Sequence, residues 1–109
     1  MQVVSFETAQ RLKEFGFPQP EMISLAGVKF WPEGASFYDD SLQISGCIIW
    51  AERHIFAPTA TDVLPEDWLL MRDVEGWICQ YRADFGVYVT HENPAEAAAA
   101  AWFWENDRK

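Results

Sequence analysis

Groups that could carry chemistry are scarce in this chain. Its 109 residues include 2 cysteines and 2 histidines, and the cysteines do not stand in a paired zinc-binding spacing. No glycine-rich phosphate loop, HExxH helix or GxSxG elbow occurs, so the common nucleotide, metalloprotease and serine-hydrolase signatures are missing. Basic residues are few as well: 8 Lys and Arg stand against 17 Asp and Glu, a net charge of −9. Such a surface repels phosphate backbones and anionic headgroups, which disfavours direct nucleic-acid binding and membrane binding. No apolar run approaches the roughly 20 residues of a membrane span, and no charged n-region opens the chain. The expectation is a cytoplasmic protein with reduced thiols, in which Cys47 and Cys79 act as small buried hydrophobes on apolar strand-like segments. A disulfide between them is the less favoured state. No repeat or linker interrupts the chain, and residues 1–109 read as a single domain.

Apolar and aromatic bulk is plentiful instead. Half of the residues are hydrophobic, and 6 Trp, 8 Phe and 3 Tyr suffice for one packed core without metal or disulfide. This content excludes a disordered chain. The acidity serves solubility in the first instance. Its sharper reading is a nucleic-acid decoy whose carboxylates occupy a basic partner site.

The chain is organised around Asn93–Lys109, NPAEAAAAAWFWENDRK, which reads as a helix. Asn93 is the N-cap, Pro94 takes the first helical position, and Glu96 stands where its carboxylate can reach back to the cap. Ala97–Ala101 has the strongest helix propensity. Trp102, Phe103 and Trp104 then point in three directions, about 100° apart. A helix apolar nearly all round is a buried one.

The remaining elements are punctuated to different degrees. Ser5 caps a helix over Phe6–Phe15, which Gly16 and Pro18 end, with Phe17 folding back onto Leu12. Met22–Trp31 looks extended, with apolar side chains on both faces. Pro32–Gly34 is a turn, Ser36–Asp40 a loop, and Leu42–Phe56 strand-like with a break near Gly46 or Glu52. Thr59 and Asp62 form a capping box for a short helix that Pro65 ends. Leu69–Arg72, Trp77–Arg82 and Phe85–Thr90 form a meander, joined by a turn at Asp73–Gly76 and a tight connection at Ala83–Asp84. This order predicts an α+β fold: a mostly antiparallel sheet of about four to five strands carrying N-terminal, short middle and C-terminal helices.

Candidate sites are weak individually. Cys79 and His91 on neighbouring strands form the best nucleophile and base pair, although Cys79 alternates with Trp77 and Tyr81 like a core residue. His54 with Glu52 and Arg53 reads as a solvated strand edge, with a catalytic or metal role as the sharper option. Asp39–Asp40 and Glu66–Asp67 could hold a divalent cation, but adjacent acids in turns are usually just solvated. No metal or cofactor is implied. Trp31, Trp50, Trp68, Trp102, Phe103 and Trp104 are core candidates that could also serve a protein interface, where aromatics concentrate.

Three segments, SFETAQRLKEFGFPQP, IFAPTATDVLP and EAAAAAWFWEND, give the chain a resemblance to a family of small phage- or prophage-type bacterial proteins. The resemblance implies a mobile-element origin and an α+β fold, and it carries over no catalytic residue. The expected function is therefore a non-enzymatic protein-interaction domain, with Trp50, Trp68, Trp102, Phe103 and Trp104 as contact residues and self-association as one outcome. An acidic inhibitor or nucleic-acid decoy against a basic partner is the alternative. A small enzyme with the Cys79/His91 site comes third.

Overall fold

The computed structural model describes residues 2–46 and 48–108, so the expectation for Cys47 lies outside the described residues. The first helix, α1 (Phe6–Glu14), starts where the Ser5 hydroxyl accepts the Thr8 N–H at 3.2 Å. It ends as its sequence requires. Gly16 takes φ +87°, the Phe17 N–H donates to the Leu12 carbonyl at 2.9 Å, and the Gly16 N–H donates to the Lys13 carbonyl at 3.1 Å. This Schellman pair buries Phe17 beside Leu12.

Met22–Trp31 is not one extended segment but a hairpin of β1 (Ile23–Leu25) and β2 (Val28–Phe30). Ala26 and Gly27 turn the chain with φ +51° and +80°, both positive as a type I′ turn demands. Residues 48–50 run along the other side of β2: the Trp31 N–H donates to the Ile48 carbonyl and the Trp50 N–H to the Lys29 carbonyl, both at 2.8 Å. The pairings place Ile23, Leu25, Val28, Phe30 and Ile49 on one face. Most of that face is bare, with Leu25 62% and Ile49 57% exposed. From the opposite face Trp31 enters the core and is completely buried.

The second sheet contains β3 (Ser36–Asp39), β4 (Leu42–Ser45) and β5 (Ile55–Phe56) in the order β4-β3-β5. The expected loop at Ser36–Asp40 is thus the central strand. Its period-2 signal is lost because both faces are covered. Phe37 stacks on Trp31 at 4.6 Å, whereas Tyr38 meets Phe6 edge-on at 5.5 Å and its hydroxyl donates to the Val4 carbonyl at 2.7 Å.

The short helix α2 (Ala60–Val63) shows both arms of the Thr59–Asp62 capping box. The meander follows as β6 (Trp68–Asp73), β7 (Gly76–Tyr81) and β8 (Tyr88–His91). The β7–β8 connection is longer than expected. Asp84 organises it, its carboxylate accepting the Gly86 N–H at 2.9 Å and its carbonyl accepting the Val87 N–H at 3.0 Å, while Phe85 lies outside the strand in solvent.

The last helix, α3 (Pro94–Asp107), begins where the Asn93 side chain accepts the Ala95 N–H. Glu96 does not reach back to its own cap. It crosses to α1, accepting the Ser5 N–H and the Thr8 hydroxyl, both at 2.7 Å. One side of α3, with Ala95, Ala98, Ala99 and Phe103, packs into the cluster of α1 and the second sheet. Another side, with Ala97 and Ala101, packs against Trp68 and Cys79 of the meander. The alanines let both neighbours approach the helix closely. The fold is α+β, with helices packed on antiparallel sheets; the strands are shared among three small sheets, two flanking α3 and the hairpin sheet joined through Trp31. Among the described residues, no helix is long and apolar enough to cross a membrane.

Candidate functional site

The Schellman end of α1, the α2 terminus and the C-terminal half of α3 converge on one open cleft of about 620 Å³. Each wall follows from a local sequence rule. Gly16 swings Phe17 inward, and Pro18 and Pro20 keep the following segment extended along one side. Pro65 ends the α2 segment and leaves Glu66 and Asp67 at the opposite lip. Trp102, Glu105 and Asn106 come from α3.

The floor is aromatic. Phe17 stacks on Phe56 at 6.2 Å and meets Trp102 edge-on at 5.3 Å. Trp102 is only half-buried, and its indole N–H has no partner among the described residues. The rim is acidic. Asp62, Glu66, Asp67 and Glu105 all line the cleft, whereas among the described residues no Lys or Arg does. Two of these carboxylates also have structural duties: Asp62 holds its capping box, and Glu105 accepts the Trp68 indole N–H at 3.1 Å. Glu66 and Asp67 are exposed. An aromatic surface bordered by uncompensated negative charge suits a cationic guest.

The residues singled out from sequence fare unequally. Trp102 lines the cleft. Phe103 and Trp68 are 7% and 3% exposed, so their rings are packing groups and not contact groups. Trp104 is half-buried between Trp68 at 5.5 Å and Tyr81 at 5.1 Å, with the Arg108 guanidinium 4.1 Å over its ring. Trp50 is half-buried beneath Lys29, 5.5 Å away, and Trp31 is wholly interior.

The β7–β8 register puts Cys79 opposite Val89 and His91 opposite Trp77, so Cys79 and His91 are diagonal neighbours and not a facing pair. Cys79 is buried, which pushes its thiol up to about 11 and keeps it protonated at neutral pH. His91 is exposed, and its Nδ1 accepts the Asn93 N–H at 2.9 Å. It borders a second cavity of about 570 Å³ with Asp73, Glu75, Trp77 and Glu92.

His54 is not on a solvated edge but buried. Its Nδ1 accepts two donors, the Trp31 indole N–H at 3.0 Å and the Ala51 N–H at 3.1 Å. That leaves the proton on Nε2, facing the Asp39 carboxylate 3.8 Å away. Asp39 itself is held below the usual carboxylate range by its hydrogen bond with Arg53 at 2.8 Å. Asp40 is a turn residue at φ +53°. No cluster of His, Cys, Asp and Glu able to hold a metal occurs among the described residues.

Sequence reasoning missed the cleft as a unit because four separated segments build it. The available signals were the helix-ending GFPQP, the Pro65 stop and the surplus ring of α3, each visible alone. Comparison with protein-family models, with curated proteins and with solved structures gives no match.

Proposed function

We propose that this chain is a non-enzymatic protein-contact domain, of mobile-element type, whose docking site is the cleft between Phe17–Pro20, the end of α2 and the C-terminal half of α3. One observation carries the reading: the chain leaves an open cavity of about 620 Å³ floored by Phe17, Phe56 and half-buried Trp102. Concave sites of this size, with an aromatic floor and convergent polar groups at the mouth, are a common form of recognition site. Among the described residues no Cys, Ser, Thr, Lys or His side chain lines it; Cys79 is buried elsewhere, beneath α3.

A photo-crosslinking residue placed at Gln19, on the cleft wall, tests the proposal in cells. A discrete partner captured through Gln19, but not through the same residue placed at Val74 on the far hairpin turn, is the expected result. Capture that is equal at both positions, or absent at Gln19, removes the cleft from the function.

The acidic inhibitor remains the second reading, favoured by the net charge of −9 and the carboxylate rim. It requires that a basic partner lose its nucleic acid when this chain binds, and that the affinity fall with ionic strength. Partner capture that leaves nucleic-acid binding intact rules out that form of the function.

A further inference from the structure

We infer that the cleft recognises a cationic segment of a partner protein, an arginine or lysine side chain lying over Trp102 with its charge between the rim carboxylates. This inference rests on the docking role proposed above and adds the chemistry of the guest.

The chain treats its other aromatic rings differently from Trp102. Three more tryptophans are half-buried, and each has a cation of its own: Lys29 lies 5.5 Å from the Trp50 ring, Arg72 lies 5.3 Å from Trp77, and Arg108 lies 4.1 Å from Trp104. Phe103 has one too, the Arg11 guanidinium at 4.3 Å. Trp31 and Trp68 are buried and hydrogen-bonded through their indole N–H groups to His54 and Glu105. Trp102 stands apart. Among the described residues it has no cation over its ring and no acceptor for its N–H, and it is the tryptophan bordered by four carboxylates.

The second cavity supplies an internal contrast. It too combines a tryptophan with acids, but Arg72 already covers Trp77. The α3 cleft has the same two ingredients, and among the described residues no cation completes it. A guest guanidinium or ammonium would supply it, gaining a ring face and opposite charge together. The Trp102 N–H would be left to donate to a carbonyl of the guest backbone. Pro18 and Pro20 on the near wall carry no backbone N–H, so that wall does not offer a regular strand-pairing ladder and the guest's side chain carries the recognition.

The test uses the intact chain and two capped peptides, one carrying arginines between prolines and glycines, the other with citrulline at each arginine. Citrulline keeps the shape and most donors but removes the charge. The readout is the indole N–H resonance of Trp102 in a nitrogen-15 spectrum, assigned with the variant Trp102→Phe. The arginine peptide is expected to shift that resonance and to bind at least about tenfold more tightly than the citrulline peptide. Glu66→Gln with Asp67→Asn, both at exposed positions, should remove most of that preference while leaving the spectrum of the folded chain in place.

Equal binding of both peptides at Trp102 overturns the cationic guest and leaves the docking role standing. An arginine-peptide response confined to Trp77 or Trp104 overturns it as well, as does no response at all. Loss of the Gln19 crosslink described above is a separate failure, which would overturn the docking role itself.

Discussion

Two side chains act here as hydrogen-bond acceptors. His54 presents Nδ1 to two N–H donors, so the neutral imidazole is built into the core. Burial, opposed only partly by Asp39, lowers its pKa from the ordinary 6.5. The unfolded chain therefore takes up a proton near pH 6.5 and the folded chain only at lower pH. Stability is full above pH 6.5 and declines as the pH falls from there toward the folded-state value. His54→Phe should cost at least about 2 kcal/mol, since it orphans the Trp31 and Ala51 donors, and it should abolish that decline. Urea-unfolding curves across the window decide both points; a variant as stable as the parent would show that the two bonds contribute nothing. Glu96 works in the opposite sense. Burial by itself would raise its pKa, but the Ser5 N–H and the Thr8 hydroxyl outweigh burial and hold it below the ordinary 4.5. Its contribution is present above pH 4.5 and is lost as the pH falls below that value. Glu96→Ala should cost about 1–3 kcal/mol because it separates the starts of α1 and α3 and leaves the Ser5 N–H without its partner.

At the scale of elements, helix ends and the β6-β7-β8 meander were legible, whereas the strand partners in the first two sheets were not. Ser5, Gly16, Thr59, Asp62, Asn93 and Pro94 act within a few residues of themselves, so their meaning survives without tertiary knowledge. Phe37 and Tyr38 depend on Trp31 and Phe6, which no local pattern reveals, and their strand read as a loop. The hairpin at Ala26–Gly27 was hidden for another reason: alanine is an unusual tenant of φ +51°. That misfit gives a prediction. Ala26→Asn should raise stability by about 0.4–1 kcal/mol, seen as a higher midpoint in denaturant, because asparagine tolerates the left-handed conformation of a type I′ turn. Gly16→Ala should lose about 1 kcal/mol for the converse reason, with φ +87° now imposed on a Cβ. The rings of α3 were legible as a surplus but not as an assignment. Phe103 went inward, Trp104 to the meander and Trp102 to the cleft, because two clusters compete for one helix. Trp104→Ala should cost about 2–3 kcal/mol in chemical denaturation, the ring being half-buried against Trp68 and Tyr81. A loss under about 1 kcal/mol would remove that face of α3 from the packing.

As a whole the molecule is elongated, with extents of 50 × 31 × 20 Å, and it carries a charge of −9. Its bare face of Ile23, Leu25, Val28, Phe30 and Ile49 favours self-contact, while the net charge opposes it. Added salt should tip that balance: light scattering at high concentration is expected to show association that grows with ionic strength and disappears in Leu25→Lys. A monomer at every salt concentration would leave the face without a role in self-association. A further consequence lies in the position of α3. Among the described residues every strand precedes Pro94 in the chain, and both clusters that flank α3 draw residues from it. During synthesis, neither cluster can close until residues 94–107 have left the ribosome. Until then Trp68 and Phe17, which pack on Trp104 and Trp102, remain open to solvent, chaperones and proteases. Nascent chains stalled before Pro94 should therefore be cleaved readily, and chains stalled after α3 has cleared the exit tunnel should resist.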